Sequence, residues 1–227
     1  MLTLSELFTE TKNEVTKKHK KNSGRANKYI KNTSVIPDFH CPEPGSLAHD
    51  HDIETVKHYF NNKSFSNNFL ELSHDSCKQV FKSYCKKNKI KVNWKFLKEV
   101  MKDVNGIIFH YKQKFDRPRP KNFLEKESKE YKHIKDMNSP SFPSGHTAAA
   151  FFIADVLSKY YPENEQDLRN LAELVGHSRI ENCVHYPSDV IYGKLLGEML
   201  ANIFLTENNN CFEDMLKIHL GRNDEKN

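Results

Sequence analysis

Apolar residues recur at helical spacing along most of this chain of 227 residues, and no stretch alternates convincingly in the manner of a half-buried strand. The strongest pattern begins at Asn93, and its broad apolar face consists of Trp94, Leu97, Val100, Met101, Val104, Ile107, Ile108 and Tyr111. An amphipathic helix of this kind buries its apolar face against other elements. The sequence therefore predicts an all-α fold, in which a single domain is built as a helical bundle.

Turn and breaker residues divide the rest of the chain into further helices. A loop is expected around residues 42–45, after which Asp50 or Asp52 can cap the next helix. The Arg-Pro-Arg-Pro run at residues 117–120 ends the strongest helix, because proline disfavours helical geometry in the residue before it. Further helices are predicted over residues 65–86, 146–161, 165–183, 187–205 and 212–220, and a shorter one around 126–134 within a polar loop of residues 121–142.

Residues 1–40 are predicted to be an N-terminal extension, residues 41–220 the folded domain and residues 221–227 a disordered tail. The extension contains a basic arm made of Lys17, Lys18, Lys20, Lys21, Arg25 and Lys28. No aromatic interleaving accompanies these charges, and the net charge of the chain is only +5. The arm is therefore interpreted as a solvated tail, and no nucleic-acid partner is expected.

Composition narrows the class of protein. Charged residues make up 29% of the chain and apolar residues 37%, which is typical of a globular protein. Five cysteines without a Cys-x-x-Cys spacing indicate reduced thiols rather than a disulfide framework or a zinc site. No window reaches the roughly 18 apolar residues of a membrane span, so no transmembrane segment is expected. No signal peptide is recognised at the N-terminus, so a cytoplasmic location is expected.

Three short segments carry the residue types that bind a phosphate group during its transfer. Lys112 and Arg119 flank the end of the strongest helix, and Arg179 lies in the third segment, so that three cations are available for the phosphate oxygens. In the second segment, Ser144 and Gly145 stand immediately before a predicted helix, where free backbone N–H groups form an anion site. The three segments together predict a phosphate-binding pocket.

Two histidines in these segments are of the type that catalyses phosphoryl transfer. His185 and Asp189 are four residues apart, so the carboxylate can hold one ring nitrogen and leave the other facing phosphorus. His146 can then protonate the leaving oxygen and later deprotonate water. A lone histidine is usually a satisfied structural residue. The case for catalysis is that all three segments occur in this order, each at the end of a helix.

A competing cluster of metal-ligand type lies at His49, Asp50, His51 and Asp52, with His58 further along. Such a cluster could belong to a metal phosphohydrolase of the His-Asp type. That chemistry needs further histidine and aspartate ligands on separate helices. The proline-rich turn before the cluster makes helix capping a sufficient explanation of Asp50 and Asp52, and no metal site is assigned.

The three segments also match a known signature. Every fixed position of Lys-x6-Arg-Pro, Pro-Ser-Gly-His and Ser-Arg-x5-His-x3-Asp is filled, starting at Lys112, Pro143 and Ser178. These motifs resemble those of the type 2 phosphatidic acid phosphatase (PAP2) superfamily, which joins bacterial acid phosphatases, membrane lipid phosphatases and vanadium haloperoxidases. Arg117 and the run at residues 141–147 are most similar to the class A nonspecific acid phosphatases within it.

The resemblance implies an all-helical PAP2-type domain that acts as a metal-independent phosphomonoesterase without a cofactor. It implies that His185 is the nucleophile and forms a phosphohistidine, that Asp189 orients it, and that His146 is the general acid and then the base. It implies phosphate-binding roles for Lys112, Arg119, Ser144, Gly145 and Arg179. The implied substrate is a small phosphomonoester, with a lipid phosphate and a homo-oligomeric state left open.

Two other functions use the same residues. The first is a vanadium-dependent haloperoxidase with vanadate in the anion site, although this chain has little room for the extra helices of such enzymes. The second is a non-catalytic module that binds phosphate or phospholipid through the basic arm and an inert pocket, although all the catalytic residue types are present. Tyr186 stands where a tryptophan often follows the nucleophilic histidine in the family, a difference that bears on the fit of the leaving group.

Overall fold

The computed structural model describes residues 26–126 and 137–209, which form an all-α structure. The α-helices of these residues are α1 (Leu47–Asn61), α2 (Asn67–Asp75), α3 (Cys77–Lys87), α4 (Trp94–Phe115), α5 (Pro120–Leu124), α6 (Gly145–Tyr160), α7 (Glu165–Glu181) and α8 (Pro187–Glu207). Short 3-10 segments lie at Thr33–Val35 and Pro162–Asn164. No β-strand occurs in the described residues, and the predicted all-α, single-domain fold is confirmed.

Helices α6, α7 and α8 begin and end within two residues of the predicted positions. Helix α4 begins after Asn93, whose side chain accepts a hydrogen bond from the N–H of Phe96 and so caps the helix. It ends at Phe115, before Asp116 in the left-handed conformation (φ 44°). These ends were predictable because each depends on residues that are neighbours in sequence.

The predicted cap of α1 is wrong. The helix begins at Leu47, and the side chain of Ser46 accepts the N–H of His49 at 3.2 Å, so Ser46 is the N-cap. Asp50 lies in the first turn and is exposed, whereas Asp52 lies further along the helix and is buried. The burial of Asp52 therefore needs an explanation other than capping.

The single helix predicted over residues 65–86 is also wrong, because it consists of α2 and α3. Ser76 separates the two with an extended backbone (φ −167°, ψ 118°) and precedes the first residue of α3. In the polar loop, the short helix that the structure describes is α5, which begins at Pro120. Most of the predicted helix around 126–134, and all of the one at 212–220, lies outside the described residues.

Helix α6 runs through the centre of the fold. All of its residues from 147 to 157 except Asp155 are buried, and the helix packs against α7, α8, α4 and α3. A helix that is apolar around its whole circumference is typical of a fully buried position. The start of α6, at Gly145, therefore lies in the interior and is held by helices on several sides.

The end of the predicted N-terminal extension packs against this core. Ile30, Ile36 and Phe39 are buried in the main hydrophobic cluster. The carboxylate of Asp103 in α4 accepts the backbone N–H groups of residues 28–30. The division at residue 40 stays a prediction, and these contacts attach the described part of the extension to the domain. Most of the basic arm lies outside the described residues.

Candidate active site

The first segment brings two cations to buried positions. Lys112 lies in the last turn of α4, and Arg119 directly precedes α5. Nζ of Lys112 donates to two carbonyl oxygens of residues 139–141, at 2.5 and 3.2 Å. Arg119 donates to a third carbonyl of that loop at 2.7 Å and to the carbonyl of Val184 at 2.5 Å. The two side chains thus hold the loop that leads into the second segment.

The second segment forms the start of α6. Ser144 is its N-cap, and Gly145 is its first residue. The N–H of Ser144 donates to the carbonyl of Asp189 at 2.9 Å, and its hydroxyl is 2.8 Å from that of Thr147. A Cβ on Gly145 would lie 3.6 Å from Cε of Lys112. The helix start that can bind an anion therefore adjoins both the lysine of the first segment and the aspartate of the third.

His185 and Asp189 form a buried pair at the start of α8. Nδ1 of His185 lies 3.2 Å from Oδ2 of Asp189, which also accepts the N–H of Tyr186 at 3.0 Å. Because an ionised carboxylate only accepts, Nδ1 carries the hydrogen of the neutral ring and Nε2 keeps its lone pair. Nε2 lies 3.3 Å from Nη1 of Arg119. The nitrogen that is able to attack phosphorus thus faces one of the cations.

Helix α2 holds the other histidine close to the third cation. Nε2 of His146 donates to the carbonyl of His74 at 3.1 Å, and because a carbonyl only accepts, the lone pair of neutral His146 lies on Nδ1. Nδ1 of His74 lies 3.3 Å from Nη2 of Arg179. His146 and His185 therefore keep their lone pairs on opposite ring nitrogens, Nδ1 and Nε2. No sequence pattern indicated that His74 would contact the site.

The three cations of the site are buried without a compensating carboxylate of their own. Among the described residues, none of Lys112, Arg119 and Arg179 lies in an ion pair. Burial lowers the pKa of Arg119 to about 10, and burial with the charge of Arg119 lowers the pKa of Arg179 to about 9. The same two causes hold the pKa of Lys112 well below its usual range. A bound anion would relieve this repulsion, so the electrostatics favour a phosphate-like ligand.

Burial and these cations also lower the pKa of both histidines well below 6.5. Burial is the largest cause for His185, followed by Arg119, Lys112 and Arg179. For His146, burial is followed by the charges of Arg179, His74 and Arg119. Both rings are therefore neutral at neutral pH. A bound phosphate dianion raises the pKa of a neighbouring imidazole, which favours protonated His146 when substrate is present.

We expect the free energy of unfolding to fall as the pH is lowered from 7.5 to about 5.5. An unfolded histidine has a pKa near 6.5, whereas the pKa of folded His146 and His185 lies well below it. Below about pH 6.5 the unfolded state therefore binds more protons, and each histidine costs up to about 1.4 kcal/mol of stability per pH unit. Urea unfolding at both pH values measures the loss. Over the same pH range, a double His146→Gln, His185→Gln variant should lose less free energy of unfolding than the wild type. An equal loss in the wild type and the variant would contradict the prediction.

Sequence reasoning missed a second buried network behind Asp189. Nη1 of Arg117 donates to Oδ1 of Asp189 at 2.6 Å and to the hydroxyl of Ser188 at 2.8 Å. Nη2 donates to Oδ2 of Asp52 at 2.8 Å. Arg117 therefore contacts the carboxylate of Asp189 rather than the cluster of three cations. In the sequence, Arg117 is distinguished only by its position between Lys112 and Arg119. That position gives no information about its partner Asp52 on α1.

The alternative metal cluster does not converge. His49 and Asp52 are buried and lie against the guanidinium of Arg117, whereas Asp50 and His51 are exposed. The described residues contain no group of three or more histidine, cysteine, aspartate or glutamate side chains arranged to hold a metal ion. His49 and Asp52 thus belong to the network behind Asp189.

The three segments meet at one place in the fold. The eight predicted site residues are Lys112, Arg119, Ser144, Gly145, His146, Arg179, His185 and Asp189, and the contacts above connect them around the start of α6. Their roles stay predictions. The fold and the site define a class of all-helical proteins in which buried cations lie close to two imidazoles.

Residues 100–212 match the family model of the PAP2 superfamily. The matched region begins within α4 and contains all three segments. Resemblance to this superfamily, predicted from the motifs, is therefore confirmed. Helices α1, α2 and α3 lie before the matched region. Among the described residues, no helix combines the length and the apolar character required to cross a membrane.

Two curated relatives are non-specific acid phosphatases, one from Salmonella typhi and one from Salmonella typhimurium. Each is 36% identical over 81 residues, which cover 36% of this chain and 28% of the relative. The chain thus matches less than a third of the length of these relatives. Among solved structures, the crystal structure of Aquifex aeolicus LpxE matches with a TM-score of 0.39 and 26% identity, over 76% of this chain and 99% of that one.

Proposed function

We propose that the protein is a metal-independent phosphomonoesterase that works through a covalent phosphohistidine on His185. The observation that carries the proposal is the position of its Nε2 lone pair, which Asp189 orients from behind and which lies 3.3 Å from Arg119. The match of residues 100–212 to the PAP2 family model and the names of the two Salmonella relatives support hydrolysis of a phosphate ester. The proposed substrate is a small phosphomonoester, with a lipid phosphate left open, and a cytoplasmic location and a homo-oligomer stay predictions.

Substrate binding uses the cations and the start of α6. Lys112, Arg119 and Arg179 bind the non-bridging oxygens, and the backbone of Ser144 and Gly145 adds donors at the helix start. The cations donate to backbone carbonyls, as Arg119 does to Val184. A phosphate offers them charged acceptors instead, and charge-assisted hydrogen bonds are stronger than neutral ones.

In the first half-reaction, the lone pair on Nε2 of His185 attacks phosphorus and the bond from phosphorus to the leaving oxygen breaks. The leaving oxygen takes the proton from Nδ1 of His146, which returns to its neutral form with Nε2 still donating to the carbonyl of His74. The phosphorylated ring of His185 becomes cationic, and its Nδ1–H remains against Asp189. The negative charge of Asp189 stabilises that cation.

In the second half-reaction, neutral His146 takes a proton from water as the water oxygen attacks phosphorus. The Nε2–P bond breaks, its electron pair returns to Nε2 of His185, and inorganic phosphate leaves. His146 thus acts as the acid in the first step and the base in the second, so one group serves both roles. The ratio kcat/KM, which reports the first half-reaction, depends on pH in a bell shape, because His185 is neutral when it attacks and His146 is protonated when it donates.

The experiment that tests the proposal is hydrolysis of p-nitrophenyl phosphate in excess EDTA. The rate of turnover in EDTA is expected to equal the rate measured without EDTA, because the cations and imidazoles named above are all protein groups. Vanadate should inhibit competitively, since it is a phosphate analogue that fits the same anion site. Loss of turnover on chelation, restored by a divalent metal, would contradict the mechanism. Bromide oxidation by peroxide after vanadate loading would instead support the haloperoxidase.

A further inference from the structure

Arg117 joins two buried carboxylates that come from distant parts of the chain. It bonds Oδ1 of Asp189 at 2.6 Å and Oδ2 of Asp52 at 2.8 Å, and the side chains of all three residues are at most 5% exposed. The ring of Tyr186 covers the guanidinium, with its centroid 3.9 Å from Cζ. Among the described residues, these two carboxylates are the ion-pair partners of Arg117 and balance its buried charge.

The charges in this network do not cancel. Two carboxylates share one guanidinium, so the network carries one net negative charge. His49 contacts Nη2 of Arg117 at 3.2 Å and adds no charge at neutral pH, because burial and then Arg117 lower its pKa. Oδ2 of Asp189, the oxygen that does not bond Arg117, accepts from His185. Without the charge of Asp52, the charge of Asp189 would be cancelled by Arg117.

Asp52 also fixes the chain that carries Asp189. Its Oδ1 accepts the N–H of Ser188 at 3.0 Å, and its Oδ2 accepts the Ser188 hydroxyl. Ser188 lies in the first turn of α8, directly before Asp189. Capping of α1 does not account for this placement, because Ser46 is the cap. Asp52 therefore acts on the start of α8 through both its charge and its hydrogen bonds.

We propose that Asp52 is a positioning residue for His185. It compensates the charge of Arg117, so that Asp189 keeps its negative charge available to Nδ1 of His185. The inference rests on the proposed function, and it adds a residue of α1, a helix outside the matched residues 100–212, to the machinery of the site.

The reaction makes the charge of this network matter. When Nε2 of His185 bonds phosphorus, the ring becomes a cation with its hydrogen on Nδ1, and a negative network stabilises it. When water hydrolyses the phosphohistidine, the Nε2–P bond breaks and the ring of His185 is the leaving group. The ring leaves as neutral imidazole only if Nδ1 has kept its hydrogen. The pKa of Nδ1–H in the phosphoenzyme thus limits turnover on the alkaline side. The other groups that face the ring are Lys112, Arg119, His146 and Arg179, which favour loss of the proton, and Asp189, which opposes it.

The test is Asp52→Asn, which keeps the size and an acceptor oxygen but removes the charge. We expect kcat for p-nitrophenyl phosphate to fall about 10- to 100-fold, the range seen when an outer partner of a functional imidazole is lost. The inhibition constant of inorganic phosphate should change far less, because the three cations remain. The alkaline limb of kcat should move to lower pH, because loss of a negative charge favours loss of the proton. Asp50→Asn is the matched control, because it makes the same change at an exposed position of the same helix. It should leave kcat, the inhibition constant of phosphate and the alkaline limb of kcat unchanged.

A second variant separates charge from structure. Adding Arg117→Gln to Asp52→Asn removes the uncompensated cation, so the alkaline limb should return toward its wild-type position. The double variant keeps the single charge of Asp189, so the network again carries one net negative charge, and the variant gives the answer if Asp52→Asn alone does not fold. Its kcat would be lower than that of the wild type, since the hydrogen bonds of Arg117 are lost. The position of the limb is therefore the deciding measurement.

The possible results are distinct. A wild-type protein without phosphatase activity would refute the proposed function and this inference with it. An active wild type with an Asp52→Asn variant of equal kcat and equal pH profile would overturn the inference alone. The inference would also be overturned if the activity of Asp52→Asn fell only in proportion to its folded fraction, measured by circular dichroism, while the alkaline limb of kcat stayed at its wild-type pH. A limb that moves in Asp52→Asn and returns in the double variant supports the role of Asp52.

Discussion

Replacement of His185 by alanine is expected to lower kcat for p-nitrophenyl phosphate by about 10,000-fold or more, the scale seen when a catalytic nucleophile is removed. In the proposed mechanism, neither of the two half-reactions can use another group in place of His185. His146 holds its lone pair on Nδ1 and donates from Nε2 to the carbonyl of His74, so it is oriented for proton transfer. Initial rates measured with enough enzyme to detect the residual activity give the factor directly.

The loss must be separated from a loss of folding. Inorganic phosphate should still raise the melting temperature of His185→Ala, because Lys112, Arg119 and Arg179 remain, and a ligand that binds the folded state stabilises it. His177→Ala is the matched control, since His177 is an exposed histidine on α7 and should tolerate the change. An acid-labile phosphoryl group should label the wild type and not His185→Ala. Activity of His185→Ala within tenfold of the wild type would rule out the phosphohistidine.

Predictions from the sequence succeeded where a structure depends on neighbouring residues. The cap at Asn93 and the first-turn proline at Pro187 each act within a few positions of themselves, so their helices were placed well. The break at Ser76 was missed because the apolar spacing continues through it and neither glycine nor proline marks it. The cap of α1 was misplaced because Ser46 and Asp50 are both good capping residues, and only the packing of α1 decides between them.

In the site, motif spacing predicted which residues converge but not how they are held. The pair His185–Asp189 is local, because Asp189 in the first turn of α8 accepts the N–H of Tyr186, the residue that follows His185. Arg117 and Asp52 are 65 residues apart, and nothing in either segment identifies the other as its partner. The contact of His146 with His74 spans 72 residues and depends on where α2 ends. Such contacts depend on helix packing, which periodicity does not specify.

Replacement of Gly197 by alanine is expected to destabilise the fold by about 3 kcal/mol, at the upper end of the usual cost of overpacking. A Cβ at this position would lie 2.3 Å from the carbonyl oxygen of Ala148 and 3.0 Å from Cβ of Phe151. The obstacle is the backbone of α6, which cannot rotate away as a flexible side chain can. Helix α8 would therefore have to move away from α6, the central helix. Urea unfolding, or the melting temperature, measures the cost.

Gly106→Ala is the matched control because it makes the same chemical change inside another helix. Apart from its chain neighbours and the nearby backbone of α4, no atom of the described residues lies within 4 Å of a Cβ built there. Only helix propensity therefore changes, and alanine should stabilise α4 by about 1 kcal/mol. The two substitutions are thus expected to have opposite signs although both replace a helical glycine. Since the N–H of Ser144 bonds the carbonyl of Asp189, a shift of α8 would also disturb the anion site, and phosphate should protect Gly197→Ala less than Gly106→Ala. Equal stabilities of the two variants would mean that α6 and α8 are not in backbone contact, and the rigid placement of His185 against the start of α6 would lose its physical basis.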